Sequence, residues 1–155
     1  MSLPGFLEDR FAVGKANYFL SQAGSGPPVL LLHGFPETHA CWHRIAPQLA
    51  QAHRVIAPDL RGYGASEAPP GGPRGEGYTK REMAVELVEL MAELGEERFA
   101  VVGHDRGARV AYRLALDHPE RVTRAALLNV VPTIAQYERM GAGPSLGYWP
   151  WFVLA

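Results

Sequence analysis

A glycine-flanked motif with a carboxylate at its centre is the part of the sequence best suited to chemistry. Residues 103–107 read Gly-His-Asp-Arg-Gly and lie between an apolar run and an amphipathic one. The glycines permit a sharp turn, and the start of a helix stabilises an anion. An ionised carboxylate can attack an alkyl carbon without a base. The motif predicts a nucleophile elbow in which Asp105 displaces a leaving group and becomes an ester. The alternative is that Asp105 only caps the helix.

Two arginines follow this carboxylate within one helical turn. Arg106 and Arg109 lie near the start of the expected helix, and residues at this spacing are neighbours on a helix surface. Arginine binds planar carboxylates through two parallel hydrogen bonds. Such a grip would hold the α-carbon of a substrate in line with Asp105. The alternative for Arg109 is an ion pair with a carboxylate of the fold, such as Asp59 or Asp117.

A second motif, His-Gly-Phe-Pro at residues 33–36, follows an earlier apolar run. Alone it is a weak signal, because any buried loop can hold a histidine for hydrogen bonding. Together with the elbow about 70 residues later it indicates one known architecture. There the backbone N–H groups of Phe35 and Arg106 would converge as an oxyanion or halide hole.

The elements that position these motifs follow from hydrophobic patterning. Short continuous apolar runs are typical of strands buried on both faces of a parallel sheet, and they cover residues 28–32, 54–57, 98–102 and 124–128. We expect a hairpin over 11–20, a loop over 68–77, and helices over 42–49, 79–94 and 106–116. Thr79 and Glu82 predict a capping box at the second helix. The alternation predicts an α/β fold with helices on both faces of a mostly parallel sheet, with function at the carboxyl ends of the strands.

Composition narrows the function classes. The chain has 155 residues and a formal net charge of −1, which gives no electrostatic case for nucleic acid or an anionic membrane. The single cysteine, Cys41, excludes an internal disulfide framework. There is no apolar run of about 18 residues and no leader-like segment, so we expect a cytoplasmic protein. The six histidines show no metal-ligand spacing, and no metal is expected.

At this point the residues resemble a known family. Residues 33–39 and 59–66 are similar to the α/β-hydrolase superfamily, and residues 78–81 and 103–109 resemble the haloacetate (fluoroacetate) dehalogenases. The resemblance implies an α/β-hydrolase fold, incomplete at its C-terminal side, and cofactor-free hydrolysis of a small 2-haloacid. It makes Asp105 the nucleophile and Arg106 and Arg109 the ligands of the substrate carboxylate. Phe35 would line the site, and Trp151 would match a family tryptophan near the halide.

The sequence departs from this family at three places. Asn129 stands where the family has an acidic residue that holds the catalytic histidine, so it is a possible relay position without a charge. Pro150 replaces a histidine that contacts the halide, and proline has no such donor. The last histidine is His118, so the water-activating histidine is absent from these residues. The chain is therefore expected to be catalytically incomplete as it stands.

The domain expectation follows the same resemblance. Residues 1–132 are interpreted as the N-terminal part of the hydrolase core, and 133–155 as the start of a truncated helical cap. A sheet that stops after Leu128 would have an exposed edge. We therefore expect self-association or a missing C-terminal segment, with a small-molecule substrate and no nucleic-acid or membrane partner.

Two other functions remain open. An epoxide hydrolase shares the aspartate elbow and the His-Gly-x-Pro loop, but it would leave Arg106 and Arg109 without an evident role. A non-catalytic fragment or binding module would keep the elbow and lack the hydrolytic step. Reaction with a haloacid or with an epoxide distinguishes the dehalogenase from the epoxide hydrolase. Repeated turnover indicates an enzyme, whereas a single trapped ester indicates a fragment that lacks the hydrolytic step.

Overall fold

A six-stranded mixed sheet forms the centre of the protein. The computed structural model describes residues 2–132 and the single positions 135 and 138. The strand order is β1-β2-β4-β3-β5-β6, with β1 and β2 antiparallel and the other four strands parallel to one another. The strands are β1 (Leu7–Val13), β2 (Ala16–Ala23), β3 (Pro28–Leu32), β4 (Arg54–Pro58), β5 (Phe99–His104) and β6 (Val122–Leu128). The predicted hairpin and all four predicted parallel strands are confirmed.

Helices cover both faces of this sheet. They are α1 (Ala46–Leu49), α2 (Lys80–Glu93) and α3 (Arg106–Asp117), together with a 3-10 turn at His39–Trp42. Alternate strand residues face opposite ways, so Leu30 and Leu32 pack with α2 and α3, whereas Val29 and Leu31 pack with the 3-10 turn and α1. The predicted α/β architecture is therefore confirmed. Within the described part of the chain, no helix has the length and apolarity to cross a membrane.

The predicted helix over 42–49 is confirmed only at its end, as α1 over Ala46–Leu49. The structure has the 3-10 turn, then Ile45 as an uncapped N-cap, and only one turn of α-helix. Pro47 lies in the first turn of α1, and proline lacks the N–H that would continue a helix from residues before it. The apolar spacing still has a meaning, because Trp42 and Ala46 are buried in the same cluster.

The predicted helix over 79–94 is confirmed as α2, including its start. Thr79 accepts a hydrogen bond from the Glu82 N–H, and the Glu82 carboxylate accepts one from the Thr79 N–H, which is a complete capping box. Caps of this kind stabilise a helix by about 1 kcal/mol. Leu87, Leu90 and Met91 are fully buried against the sheet.

A buried polar cluster ties α2 to the sheet. The Tyr18 hydroxyl of β2 donates to Glu86 Oε2 at 2.6 Å, and Arg61 Nη2 lies 2.9 Å from Glu86 Oε1. Arg61 comes from the loop after β4 and also donates to the carbonyl of Gly77. Buried charges are tolerated only when paired and hydrogen-bonded, so this cluster sets the register between β2, the loop and the helix.

The last strand, β6, pairs with β5 on one side and is the edge of the described sheet. Most of its residues are exposed, and Leu127 and Leu128 are 39% and 42% exposed.

Candidate active site

The turn between β5 and α3 holds Asp105 in a conformation that few residues adopt. Asp105 has φ 48° and ψ −112°, in a region that carries strain for a residue with a side chain. A Cβ on Gly103 would lie 2.5 Å from the Gly107 carbonyl oxygen, and one on Gly107 would collide with the carbonyl of Leu32. Only glycine fits at both positions, so the two glycines permit the sharp turn that the sequence predicts.

Asp105 does not serve as the cap of α3. Its side chain makes no capping hydrogen bond to the helix. Instead the Phe35 N–H donates to Asp105 Oδ1 at 3.0 Å. Gly34 allows this approach, since a Cβ there would lie 2.6 Å from Asp105 Cβ. One of the two expected N–H donors, that of Phe35, therefore points at the carboxylate.

Arg106 and Arg109 occupy the first turn of α3, beside the carboxylate, and both are half-buried. The Arg106 guanidinium lies 5.1 Å from the centre of the Phe35 ring. The alternative for Arg109 was an ion pair with Asp59 or Asp117, and both of these carboxylates bind other residues. Asp59 Oδ1 lies 2.7 Å from His39 Nδ1, and Asp117 pairs with Arg113.

The carboxylates of Asp59 and Asp117 are both held by hydrogen bonds from other residues of the fold. Burial opposes ionisation of Asp59, but hydrogen bonds from the ring and the N–H of His39 and from the Ala65 N–H hold its pKa below the ordinary value. Hydrogen bonds from Arg113 and then Arg81 lower the pKa of Asp117 to about 2. Both carboxylates therefore act within the fold.

Hydrogen-bond contacts link Glu37, His104 and Asn129 next to the elbow. Asn129 is the position expected to act as a relay. His104 Nδ1 lies 2.9 Å from Glu37 Oε2, and His104 Nε2 lies 3.3 Å from Asn129 Nδ2. The Glu37 carboxylate can only accept here, so it favours a proton on Nδ1. His104 Nε2 is then an acceptor for the Asn129 amide. Asn129 has φ 51° and follows the carboxyl end of β6, as Asp105 follows the carboxyl end of β5.

His33 has a structural role. It is fully buried; its Nε2 accepts from the Leu60 N–H at 2.9 Å, and its Nδ1 lies 2.9 Å from the Gly34 carbonyl. These bonds join the loops after β3 and β4. Burial lowers the pKa of His33, which favours the neutral ring that the two bonds require.

One polar residue of this region was missed by the sequence reasoning: Glu37, the partner of His104. Glu37 stands inside the residue 33–39 motif, so its position one residue after Pro36 was the available signal. Other predictions fall outside the described residues: Trp151, the substitution at Pro150, and the cap over 133–155, of which only positions 135 and 138 are described.

Comparisons with known proteins identify the family. The family model described as alpha/beta hydrolase fold matches residues 27–150. The chain is 45% identical to a fluoroacetate dehalogenase of Burkholderia sp. over 150 residues, which are 97% of this chain and 49% of that protein. It is 44% identical to a soluble epoxide hydrolase of Corynebacterium sp. (strain C12) over 110 residues, 71% of this chain and 37% of that protein.

A solved structure is also close. A protein from Nostoc sp. PCC 7120, described as a candidate alpha/beta hydrolase, superimposes with a TM-score of 0.95 at 49% identity and covers 98% of this chain and 52% of that one. The chain thus spans about half the length of the fluoroacetate dehalogenase and of the Nostoc protein. The matched residues include both glycine motifs and most of the sheet, and on this ground the chain belongs to the alpha/beta hydrolase fold family.

Proposed function

We propose that this chain supplies the nucleophilic half of a hydrolase that removes halide from a small 2-haloacid. The observation that carries the proposal is the setting of Asp105, a strained, uncapped carboxylate held by the Phe35 N–H at a helix start that also carries Arg106 and Arg109. The similarity to a fluoroacetate dehalogenase supports the same chemistry.

In the first step, Asp105 Oδ2 attacks the carbon that bears the halogen, because Oδ1 is held by the Phe35 N–H. A carbon–oxygen bond forms as the carbon–halogen bond breaks, and halide leaves with the electron pair. Arg106 and Arg109 hold the substrate carboxylate, which aligns the reacting carbon. The product is an ester of Asp105 with a hydroxy acid.

In the second step, water adds to the Asp105 carbonyl carbon, the ester bond breaks, and the hydroxy acid leaves with regeneration of the carboxylate and release of one proton. The Phe35 N–H would stabilise the oxyanion that forms on Oδ1. His33, His39 and His104 are engaged in the fold. We therefore expect that the base for this step comes from outside the described residues. Without that base, the reaction should stop at the ester.

Mass spectrometry of the intact chain after incubation with bromoacetate tests the proposal. We expect one added carboxymethyl group on Asp105, removable by hydroxylamine as an ester is, and none in Asp105→Asn. Burial and then Glu37 raise the pKa of Cys41 to about 12, so its thiol is a poor competitor. No label on Asp105 would refute the proposed first step, and bromide release in excess of protein would refute the expected arrest.

An epoxide hydrolase remains the second candidate because the chain also resembles the Corynebacterium enzyme. It would form an ester of Asp105 with an epoxide rather than with a haloacid. A small epoxide that carries no carboxylate, used in the same labelling experiment, separates the two functions. Labelling by the epoxide and not by bromoacetate would favour the second candidate. A chain that binds small carboxylates and is labelled by neither reagent would fit a binding module.

A further inference from the structure

Phe35, in the loop after β3, contacts the start of α3 through both its ring and its backbone. The guanidinium carbon of Arg106 lies over the Phe35 ring, 5.1 Å from its centre, which is within the distance at which an aromatic face attracts a cation. The N–H of the same residue donates to Asp105 Oδ1 at 3.0 Å. One residue therefore contacts two consecutive residues of the elbow.

The backbone on both sides of the Phe35 ring is held by hydrogen bonds. The Gly34 N–H donates to Glu37 Oε2 at 3.1 Å, and the Glu37 N–H donates to the Gly34 carbonyl at 3.0 Å. Glu37 Oε2 also lies 2.9 Å from His104 Nδ1, so the loop is tied to the end of β5. These contacts limit where the Phe35 side chain lies, although its ring is 43% exposed.

An aromatic ring is well suited to orient a guanidinium that must bind a carboxylate. The guanidinium is planar and stacks on aromatic faces, and the attraction acts through the quadrupole of the ring. Because this attraction needs no hydrogen-bond acceptor, it restrains Arg106 and still permits hydrogen bonds from its N–H groups to a carboxylate. A side chain that is oriented in advance loses less rotamer freedom when it binds a ligand.

We propose that Phe35 is a positioning residue whose ring orients the Arg106 guanidinium for the carboxylate of the substrate. The proposal rests on the proposed function, in which Arg106 holds that carboxylate. It gives Phe35 two separate roles, since the backbone N–H holds Asp105 and the ring holds Arg106. The attacking carboxylate and the ligand of the substrate carboxylate are thereby placed relative to each other by one residue.

Labelling of Asp105 by an anionic and a neutral reagent tests the role of the ring. Phe35→Leu keeps the backbone N–H and removes the aromatic face. We expect the labelling rate with bromoacetate, divided by the rate with bromoacetamide, to fall about fivefold, which corresponds to one cation–π contact at an exposed site. Phe35→Tyr keeps an aromatic face and should restore this ratio to within about twofold of the wild type.

Pentafluorophenylalanine at position 35 separates the electrostatic role of the ring from its packing. It nearly keeps the shape of the ring and reverses the polarity of its face, so the ratio should fall as in Phe35→Leu. Phe19→Leu is the matched control, because Arg10 lies over the Phe19 ring at 5.5 Å in the β1–β2 hairpin, and it should leave the ratio unchanged. A pentafluorophenylalanine variant with the wild-type ratio overturns the proposal.

Binding of acetate, an unreactive carboxylate, gives an independent test. The Arg106 Nε–H resonance can be followed by NMR during an acetate titration. We expect acetate to shift this resonance in the wild type, and the midpoint to lie at about fivefold higher acetate in Phe35→Leu. A resonance that acetate does not shift, or a midpoint that is the same in both proteins, overturns the proposal.

The two proposals fail in different ways. If the wild type forms no ester with either reagent, the proposed function fails, and the acetate titration still decides the role of Phe35. Equal slowing with bromoacetate and bromoacetamide in Phe35→Leu means that the ring only supports the elbow, which overturns the proposal. If Phe35→Leu does not fold, the comparison of Phe35→Tyr with the pentafluorophenylalanine variant decides.

Discussion

At the scale of single residues, the backbone of the elbow explains why Asp105 points away from its own helix. A carboxylate at a helix start normally accepts hydrogen bonds from the first turn, but Asp105 at φ 48° does not. Strain of about 1–3 kcal/mol at such a position persists only when the surroundings hold it. Gly103 and Gly107 provide this hold, because they let α3 approach β5 and β3 more closely than any other residue would permit.

We therefore predict that Gly107→Ala destabilises the protein and disables the site together. The added Cβ would collide with the backbone carbonyls of Leu32 and His33, and backbone cannot move aside as a flexible side chain can. The free energy of unfolding should fall by about 2–4 kcal/mol, and Asp105 labelling by bromoacetate should be lost.

Urea unfolding and intact-mass measurements check this prediction. Gly71→Ala is the matched control, because its Cβ would meet only the Tyr78 side chain, at 3.2 Å, and the Glu76 carbonyl at 3.4 Å in the surface loop. It should cost less than about 1 kcal/mol and leave labelling intact. A Gly107→Ala protein as stable as the wild type would contradict the close approach.

At the scale of elements, short-range signals were readable from the sequence, and contacts between distant segments were not. The capping box of α2 needs only Thr79 and Glu82, three residues apart, and it was predicted. The pairing of Glu37 with His104 joins segments 67 residues apart. Such a contact leaves no periodic signal in the sequence. The predicted helix over 42–49 forms only over its last turn, because Pro47 lacks the N–H that would extend the helix towards earlier residues.

The hydrogen bonds of His33, which join the loops after β3 and β4, give a prediction for the pH dependence of stability. His33 must stay neutral to accept from the Leu60 N–H, and its pKa in the folded protein lies below the ordinary value of 6.5. The unfolded chain therefore binds more protons at acidic pH. The stabilisation is present above pH 6.5 and should be lost as the pH falls below it.

Urea unfolding at pH 7.5, 6.5 and 5.5 measures this effect, and His33→Gln should flatten the dependence of the unfolding free energy on pH. His43→Gln is the matched control, because His43 is exposed and bonds only within its own turn. A wild-type stability that does not fall between pH 7.5 and 5.5 would show that His33 does not govern this window.

At the scale of the whole molecule, the described sheet has two different edges. At one edge lies β1, the outer strand of the β1–β2 hairpin. At the other edge lies β6, which pairs with β5 and ends beside Asp105 and Asn129. The fluoroacetate dehalogenase and the Nostoc protein are about twice as long as this chain. The sequence predicted β6 as the last of four parallel strands, because each of them is a short apolar run. What lies against its outer side depends on contacts between distant segments, which leave no periodic pattern in the sequence.

We predict that the 155-residue chain self-associates through β6. In the part of the chain that the structure describes, β6 pairs only with β5, and Leu127 and Leu128 are partly exposed there. Exposed edge strands recruit further strands. Sedimentation velocity should show species larger than a monomer at micromolar concentration. Leu127→Lys should shift the distribution towards monomer, because a charge on an edge strand opposes pairing. Leu7→Lys is the matched control on the opposite edge, where Leu7 is 74% exposed, and it should leave association unchanged. A wild-type chain that sediments as a monomer throughout, or a Leu7→Lys variant that dissociates as readily as Leu127→Lys, would contradict the role of β6.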